Sequence, residues 1–180
     1  MNISDYKKII RERMGDYRFS HSVNVAKEAK KLAKHYGADE NKAEIAGILH
    51  DITKEMPKEQ QLQIIIDSGI ILDNVQLHAP KLWHGMSGSI VVRDELGIDD
   101  EDILNAIRYH TTGRAGMSLL EKVIFTADFT SSKEKNFQFR RAAIIHMVAN
   151  LTVPSARLLS CGARTLAGTI AVSWYSAISA

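Results

Sequence analysis

Four histidines and two aspartates stand out in this chain because they interrupt or end apolar stretches: His21, His50, Asp51, His84, His110 and Asp128. The most telling pair is His50-Asp51 in "GILHDITKE", where an apolar helical run would call for Ile, Leu or Ala. An ionised aspartate among apolar side chains is costly unless something positive meets it, and a metal ion is the strongest such partner. Imidazole and carboxylate are also natural ligands for iron, manganese, zinc or nickel. An isolated His-Asp pair would sooner be a surface histidine beside a capping aspartate. The other candidates change that balance: His21 follows "YRFS", His84 follows Trp83, His110 ends "AIRYH" and Asp128 ends "KVIFTAD".

A helical bundle can bring such ligands together with no local motif, because each helix points one or two side chains inward. Adjacent His50 and Asp51 would let the carboxylate bridge two cations while the imidazole holds one. Paired cations suit phosphate esters: they hold phosphoryl oxygens, make a bound water nucleophilic and neutralise the departing oxygen.

The elements that must position these residues read as helices. Val23, Ala26, Leu32 and Ala33, then Ala43, Ile45, Ala46, Ile48, Leu49 and Ile52, recur at helical spacing, parted by Gly37. Pro57 opens a segment that Gly69 closes; "LDNVQLHA" reads as a loop; Pro80 opens a helix that Gly97 stops. "DDEDILNAIRYHTTG" has acids in its first turn and a glycine after its last, and Ser118 and Glu121 have capping-box spacing ahead of "LLEKVIFTADF". Strand alternation is scarce, apart from stretches such as "IIIDSGIIL". The expectation is an all-α bundle of roughly seven or eight helices with a dimetal site at its centre.

At 180 residues the chain suits one domain. Its net charge of +2 gives no reason to invoke nucleic acid, but the charge is uneven: residues 1–129 carry 17 bases and 20 acids, whereas residues 130–180 carry six bases and one acid. The single Cys161 excludes an intrachain disulfide framework, and no apolar run is long enough for a membrane span. The opening "MNISDYKKIIRERMGDYRFSH" lacks the apolar core of a signal peptide, so a cytoplasmic location is expected.

"RFSHSVNVAKEAKKLAKHYGADENKAEIAGILHDITKE", "APKLWHGMSGS" and "AIRYHTTGRAGMSLLEKVIFTAD" together resemble the HD-domain metal-dependent phosphohydrolases, and within them the bacterial YqeK-type symmetrical diadenosine tetraphosphatases. The bare H…HD…D order is moderately specific; the added HGxxG and YHTTGR blocks sharpen it. The resemblance covers about residues 5–129. It implies a core over 1–129, with His21, His50, Asp51, His84, His110 and Asp128 holding two transition metals, iron first and Mn, Ni, Co or Zn as alternatives. It implies cleavage of diadenosine tetraphosphate into two ADP by hydroxide on the metals, a small-molecule nucleotide partner rather than nucleic acid or membrane, and leaves a homodimer open. Asp51 and Lys54 are the expected catalytic residues. Lys54 resembles a basic residue near the phosphates, and its alternative is a solvated helix-end lysine. Thr111, Thr112 and Gly113 would offer hydroxyls and free amides to the substrate, or form a simple helix exit. Arg114 would clamp a distal phosphate or sit on the surface. The ligands fix chemistry better than substrate, so a nucleotidase or pyrophosphohydrolase acting on ADP, dNDP or a guanosine alarmone is an alternative, as is a catalytically impaired nucleotide-binding module. After Asp128 the resemblance stops, and residues 130–180 form an atypical C-terminal segment.

Overall fold

A computed structural model describes residues 1–131; the atypical segment from residue 132 onward, with His146 and Cys161, lies outside the described residues. Among the described residues there are eight α-helices and no strand: α1 (Ile3–Arg13), α2 (Asp16–Tyr36), α3 (Glu40–Leu49), α4 (Lys58–Asp67), α5 (Asn74–Leu77), α6 (Trp83–Asp94), α7 (Glu101–Arg108) and α8 (Leu119–Ser131). The all-α expectation holds, and "IIIDSGIIL" is the end of α4 followed by non-helical chain.

Local chemistry sets most boundaries. Asp39 and Asp100 cap α3 and α7, accepting hydrogen bonds from the exposed first-turn amides, and Gly37 ends α2 in the left-handed conformation at φ 79°. Ser118 and Glu121 form both capping-box contacts at the start of α8, at 3.1 and 3.4 Å. Two elements differ from the sequence reading. "LDNVQLHA" contains the one-turn helix α5, held by a capping box between Asp73 and Gln76. Pro80 opens a 3-10 turn, Pro80–Leu82, and the α-helix begins only at Trp83. The first helix, α1, has its own capping box between Asn2 and Asp5.

The core is apolar and continuous around α2, α3, α7 and α8, with Val25, Ala46, Ile48, Leu49, Ile107 and Ile124 buried in it. Fully burying an aliphatic side chain of this kind stabilises by about 1.5–3 kcal/mol, so this cluster dominates the bundle. A smaller cluster of Ile65, Trp83, Met86 and Ile90 fastens α4 to α6.

Two glycines let helices approach closely where the candidate ligands lie. A Cβ on Gly47 of α3 would stand 2.8 Å from the Ala26 Cα of α2, and one on Gly85 of α6 would stand 2.7 Å from the Arg108 carbonyl oxygen at the end of α7. These contacts bring the helix bearing His21 against the one leading to His50, and His84 against the exit that carries His110.

Candidate metal centre

The six residues singled out in the sequence come from five helices or their exits, and the fold brings them together. His21 lies on α2, His50 and Asp51 follow Leu49 at the end of α3, His84 lies on α6, His110 follows α7, and Asp128 lies on α8. His50, Asp51, His84 and His110 are almost wholly buried, which is unusual for residues of these types without partners.

Backbone hydrogen bonds fix three of the imidazoles in the same way. His50 Nδ1 lies 2.8 Å from the Gly47 carbonyl oxygen, His84 Nδ1 2.8 Å from that of Lys81, and His110 Nδ1 2.7 Å from that of Ile107. A carbonyl can only accept, so each Nδ1 carries the hydrogen and each ring turns its Nε2 inward, where a lone pair stands whenever that nitrogen is unprotonated. This orientation, with the far nitrogen tied to a carbonyl, is the one that metal-bound histidines adopt.

Asp51 stands between these rings. Its Oδ1 is 3.4 Å from His84 Nε2 and 3.6 Å from His110 Nε2, while its Oδ2 is 3.4 Å from His50 Nε2. Asp128 Oδ1 lies 2.8 Å from His21 Nε2 and 3.6 Å from His50 Nε2. Three groups of donor atoms each fall within 4.8 Å of one another: His21, His50 and Asp51; His50, His110 and Asp128; Asp51, His84 and His110. Asp51 belongs to two of these groups with different histidines, the placement a bridging carboxylate needs.

The electrostatics ask for positive charge at this point. Burial would lower the pKa of His50, but Asp51 and Asp128 outweigh it and raise the group to about 10. Burial likewise pushes Asp51 and Asp128 up, and their histidine neighbours more than reverse it, so both carboxyls lie below the ordinary range. Burial drives His84 well below its usual value, helped by His110 and Lys54, which leaves a neutral ring whose Nε2 lone pair meets Lys54 here and suits a metal. His50 Nε2 and Asp51 Oδ1 are buried without a hydrogen-bond partner among the described residues. Buried polar atoms are rarely left so, and a cation shared by inward lone pairs and carboxylate oxygens satisfies both. Imidazole nitrogen with carboxylate oxygen suits divalent transition metals, so the donor set fits such a metal.

The surrounding side chains hold the site in register. Thr53 Oγ1 donates to the His84 carbonyl oxygen at 2.9 Å and lies 2.9 Å from Ser87 Oγ, while the buried Gln61 donates to the carbonyl oxygens of Thr53 and Met56. The turn after Asp51 is thereby fastened to α6 and α4.

Of the residues expected near a substrate, Lys54 reaches the cluster: its Nζ lies 3.0 Å from His84 Nε2, and burial lowers its pKa against the opposing pull of Asp51. Thr111 Oγ1 lies 3.3 Å from the same nitrogen. Thr112 is exposed, and the Gly113 amide is not free, since it donates to the Tyr109 carbonyl oxygen at 2.8 Å. Arg114 differs most from expectation. Its fork is bound bidentately to buried Glu121 at 2.7 and 2.8 Å and lies over the Tyr109 ring, so its donors already have a carboxylate. Sequence reasoning missed Arg18, whose terminal nitrogen donates to Asp51 Oδ2 at 2.8 Å. The available signal was its spacing: Arg18 lies three residues before His21 on α2, hence on the same face. Of the histidines left out of the cluster, His35 packs on Tyr36 and His78 is exposed.

Residues 18–133 match the model of the HD domain family. The chain belongs to the HD-domain family. Two bacterial relatives named symmetrical bis(5'-nucleosyl)-tetraphosphatase are similar to it. The one from Bacillus subtilis is 46% identical over 132 residues, 72% of this chain and 69% of its own length. The one from Halalkalibacterium halodurans is 41% identical over 139 residues, 77% of this chain and 72% of its own length. A crystal structure from Clostridium acetobutylicum, described as that of a predicted HD superfamily hydrolase involved in NAD metabolism, superimposes with a TM-score of 0.76 at 37% identity. The superposition covers 82% of this chain and 79% of that one. The HD domain and the His/Asp cluster together point to divalent metal binding.

Proposed function

We propose that this chain is a metal-dependent phosphohydrolase that cuts diadenosine tetraphosphate symmetrically into two molecules of ADP. The observation that carries the chemistry is Asp51, a buried carboxylate whose two oxygens face the inward Nε2 atoms of different histidines. The substrate follows from the similarity to the two tetraphosphatases over most of their length.

His21, His50, Asp51, His84, His110 and Asp128 would hold two cations, with Asp51 shared between them. Bound there, the cations would polarise phosphoryl oxygens and make water nucleophilic. The chain's own contribution is positioning and charge. The Gly47, Lys81 and Ile107 carbonyls keep three rings in the ligating tautomer. Lys54, on the His84 side, carries positive charge toward the phosphates as negative charge builds on the departing group. Thr111 presents a hydroxyl beside the same ring.

Iron is the first metal to test, and Mn, Ni, Co and Zn share the preference for imidazole and carboxylate. The site is complete by residue 128, so residues 1–129 form the catalytic core in this reading. A cytoplasmic nucleotide is the expected partner. No helix among the described residues is long and apolar enough to cross a membrane.

The deciding experiment pairs metal content per chain with product analysis on diadenosine tetraphosphate. About two metals per chain, as a two-metal scheme requires, with ADP as sole product is the expected result. ATP with AMP, or turnover confined to mononucleotides, would overturn the assignment.

A further inference from the structure

Arg18 has no role in the reading above, yet its guanidinium lies against the central carboxylate. One terminal nitrogen donates to Asp51 Oδ2 at 2.8 Å, and Nε is buried without a partner. A guanidinium offers five N–H donors in a planar fork that matches a carboxylate or phosphate edge. A structural arginine serving Asp51 alone would engage it bidentately, as Arg114 engages Glu121. Arg18 instead makes a single hydrogen bond to Asp51, lies over the Tyr17 ring and keeps an unmet donor, and about a quarter of its side chain reaches solvent.

The placement is as informative as the unmet donor. Arg18 stands on the Oδ2 side of Asp51, whereas Lys54 stands beside His84, which faces Oδ1. In this structure the Asp51 carboxylate lies between the two cations and balances them. Once the Asp51 charge is shared with metal cations, that carboxylate alone no longer balances Arg18. A polyphosphate lying over the cluster would supply oxyanions to both.

We propose that Arg18 is a phosphate-binding residue of this site, gripping a phosphoryl group on the Asp51 Oδ2 side while Lys54 meets the chain from the Oδ1 side. The ligand class is a phosphoanhydride-bearing nucleotide, and the inference rests on the phosphohydrolase reading of the same site. Arg18 sits on the long helix α2, one turn before His21, so its reach toward the phosphates is set by the same element that presents a candidate ligand.

The test uses the full chain, reconstituted with metal, as wild type, Arg18→Ala and Arg18→Lys. ADP binding is measured by calorimetry, with metals per chain counted in the same samples. We expect Arg18→Ala to weaken ADP binding on the order of ten- to a hundredfold, the scale of lost hydrogen bonds between charged groups, with metal content unchanged. Arg18→Lys should recover part of that affinity, because it restores the charge without the fork; it also serves as the measurable variant if Arg18→Ala does not fold. Unchanged ADP affinity in either metal-replete variant overturns the proposal. So does metal lost in step with affinity, which would make Arg18 a support of the metal centre. Wild-type turnover of diadenosine tetraphosphate, assayed separately, tells the two readings apart: no turnover with Arg18-dependent ADP binding sinks the substrate assignment and leaves Arg18 in place.

Discussion

The Nε2 atoms of His84 and His110 lie 3.1 Å apart, although both rings already donate their Nδ1 hydrogens to backbone carbonyls. With both Nδ1 hydrogens given to carbonyls, these two Nε2 atoms are placed to share one positive charge, a proton or a metal cation, and Lys54 Nζ approaches the His84 nitrogen at 3.0 Å. The backbone bonds and the close approach at Gly85 keep the rings from turning away. The fold therefore presents the two nitrogens to a common cation, and a metal bound there would take the place that Lys54 and a shared proton fill.

Metal should accordingly stabilise the native state. A cation that binds only the folded chain adds about 2.7 kcal/mol when present at a hundred times its dissociation constant. Adding back metal to chelator-treated protein should raise the melting temperature by several degrees, and the rise should saturate near two equivalents. A melting curve that does not move on verified reloading would count against a tightly held centre.

Asp51→Asn keeps the size of the side chain but removes its negative charge and one of its two ligating oxygens. Loss of an outer partner of a metal ligand alone costs roughly 10- to 100-fold in affinity or activity, so loss of a shared carboxylate should cost at least about a hundredfold. Far-UV circular dichroism should stay near that of the wild type, since Asp51 contributes little apolar burial, while metal content falls. Near-normal turnover would rule out the bridging role.

Much of this was legible in the sequence because it is local. Caps such as Ser118 with Glu121, and punctuation such as Gly37 and Pro57, act within one turn, so helix ends can be read directly. The candidate ligands were legible for another reason: a histidine or aspartate inside an apolar run is an anomaly whatever the fold. What stayed hidden depends on tertiary contact. Arg18 is separated from Asp51 by 33 residues, and its spacing from His21 puts it on the candidate-ligand face without naming Asp51 as its partner. The Glu121 cap can be read from its spacing, but its second partner Arg114 cannot, so the sequence does not announce the carboxylate that engages two of the arginine's nitrogens. The helix α5 is a single turn, too short to show periodicity.

The Glu121–Arg114 pair predicts a pH dependence away from the metal ligands. Burial pushes the Glu121 carboxyl up, but Arg114 and the Ser118 amide outweigh it and hold the group below its ordinary value of 4.5. The folded state thus prefers the ionised form more than the unfolded chain does. The resulting stability is full above pH 4.5 and is lost as the pH falls through the lower folded value. Glu121→Gln should lower the melting temperature at pH 7 by a few degrees, and the gap from wild type should narrow as the pH is taken below 4. A gap that stays constant from neutral to acid would show that the ionised carboxyl contributes nothing.

Gly85→Ala separates the role of helix spacing from that of ligand chemistry. The added Cβ would stand 2.7 Å from the Arg108 carbonyl oxygen, a backbone atom that cannot rotate away. Relief requires α6 and the α7 exit to part by several tenths of an ångström, and overpacking of this kind costs about 1–3 kcal/mol. The same displacement pulls His84 from His110, since Gly85 is next to one and Arg108 is two residues before the other. No ligand is removed, yet metal affinity should fall together with the melting temperature. Gly88→Ala on the same helix is the matched control, because its nearest neighbour would be Thr53 Oγ1 at an ordinary 3.5 Å. If Gly85→Ala melts lower but binds metal as tightly as wild type, the close approach serves packing alone; if both variants lose metal equally, the effect belongs to α6 in general and not to the His84–His110 separation.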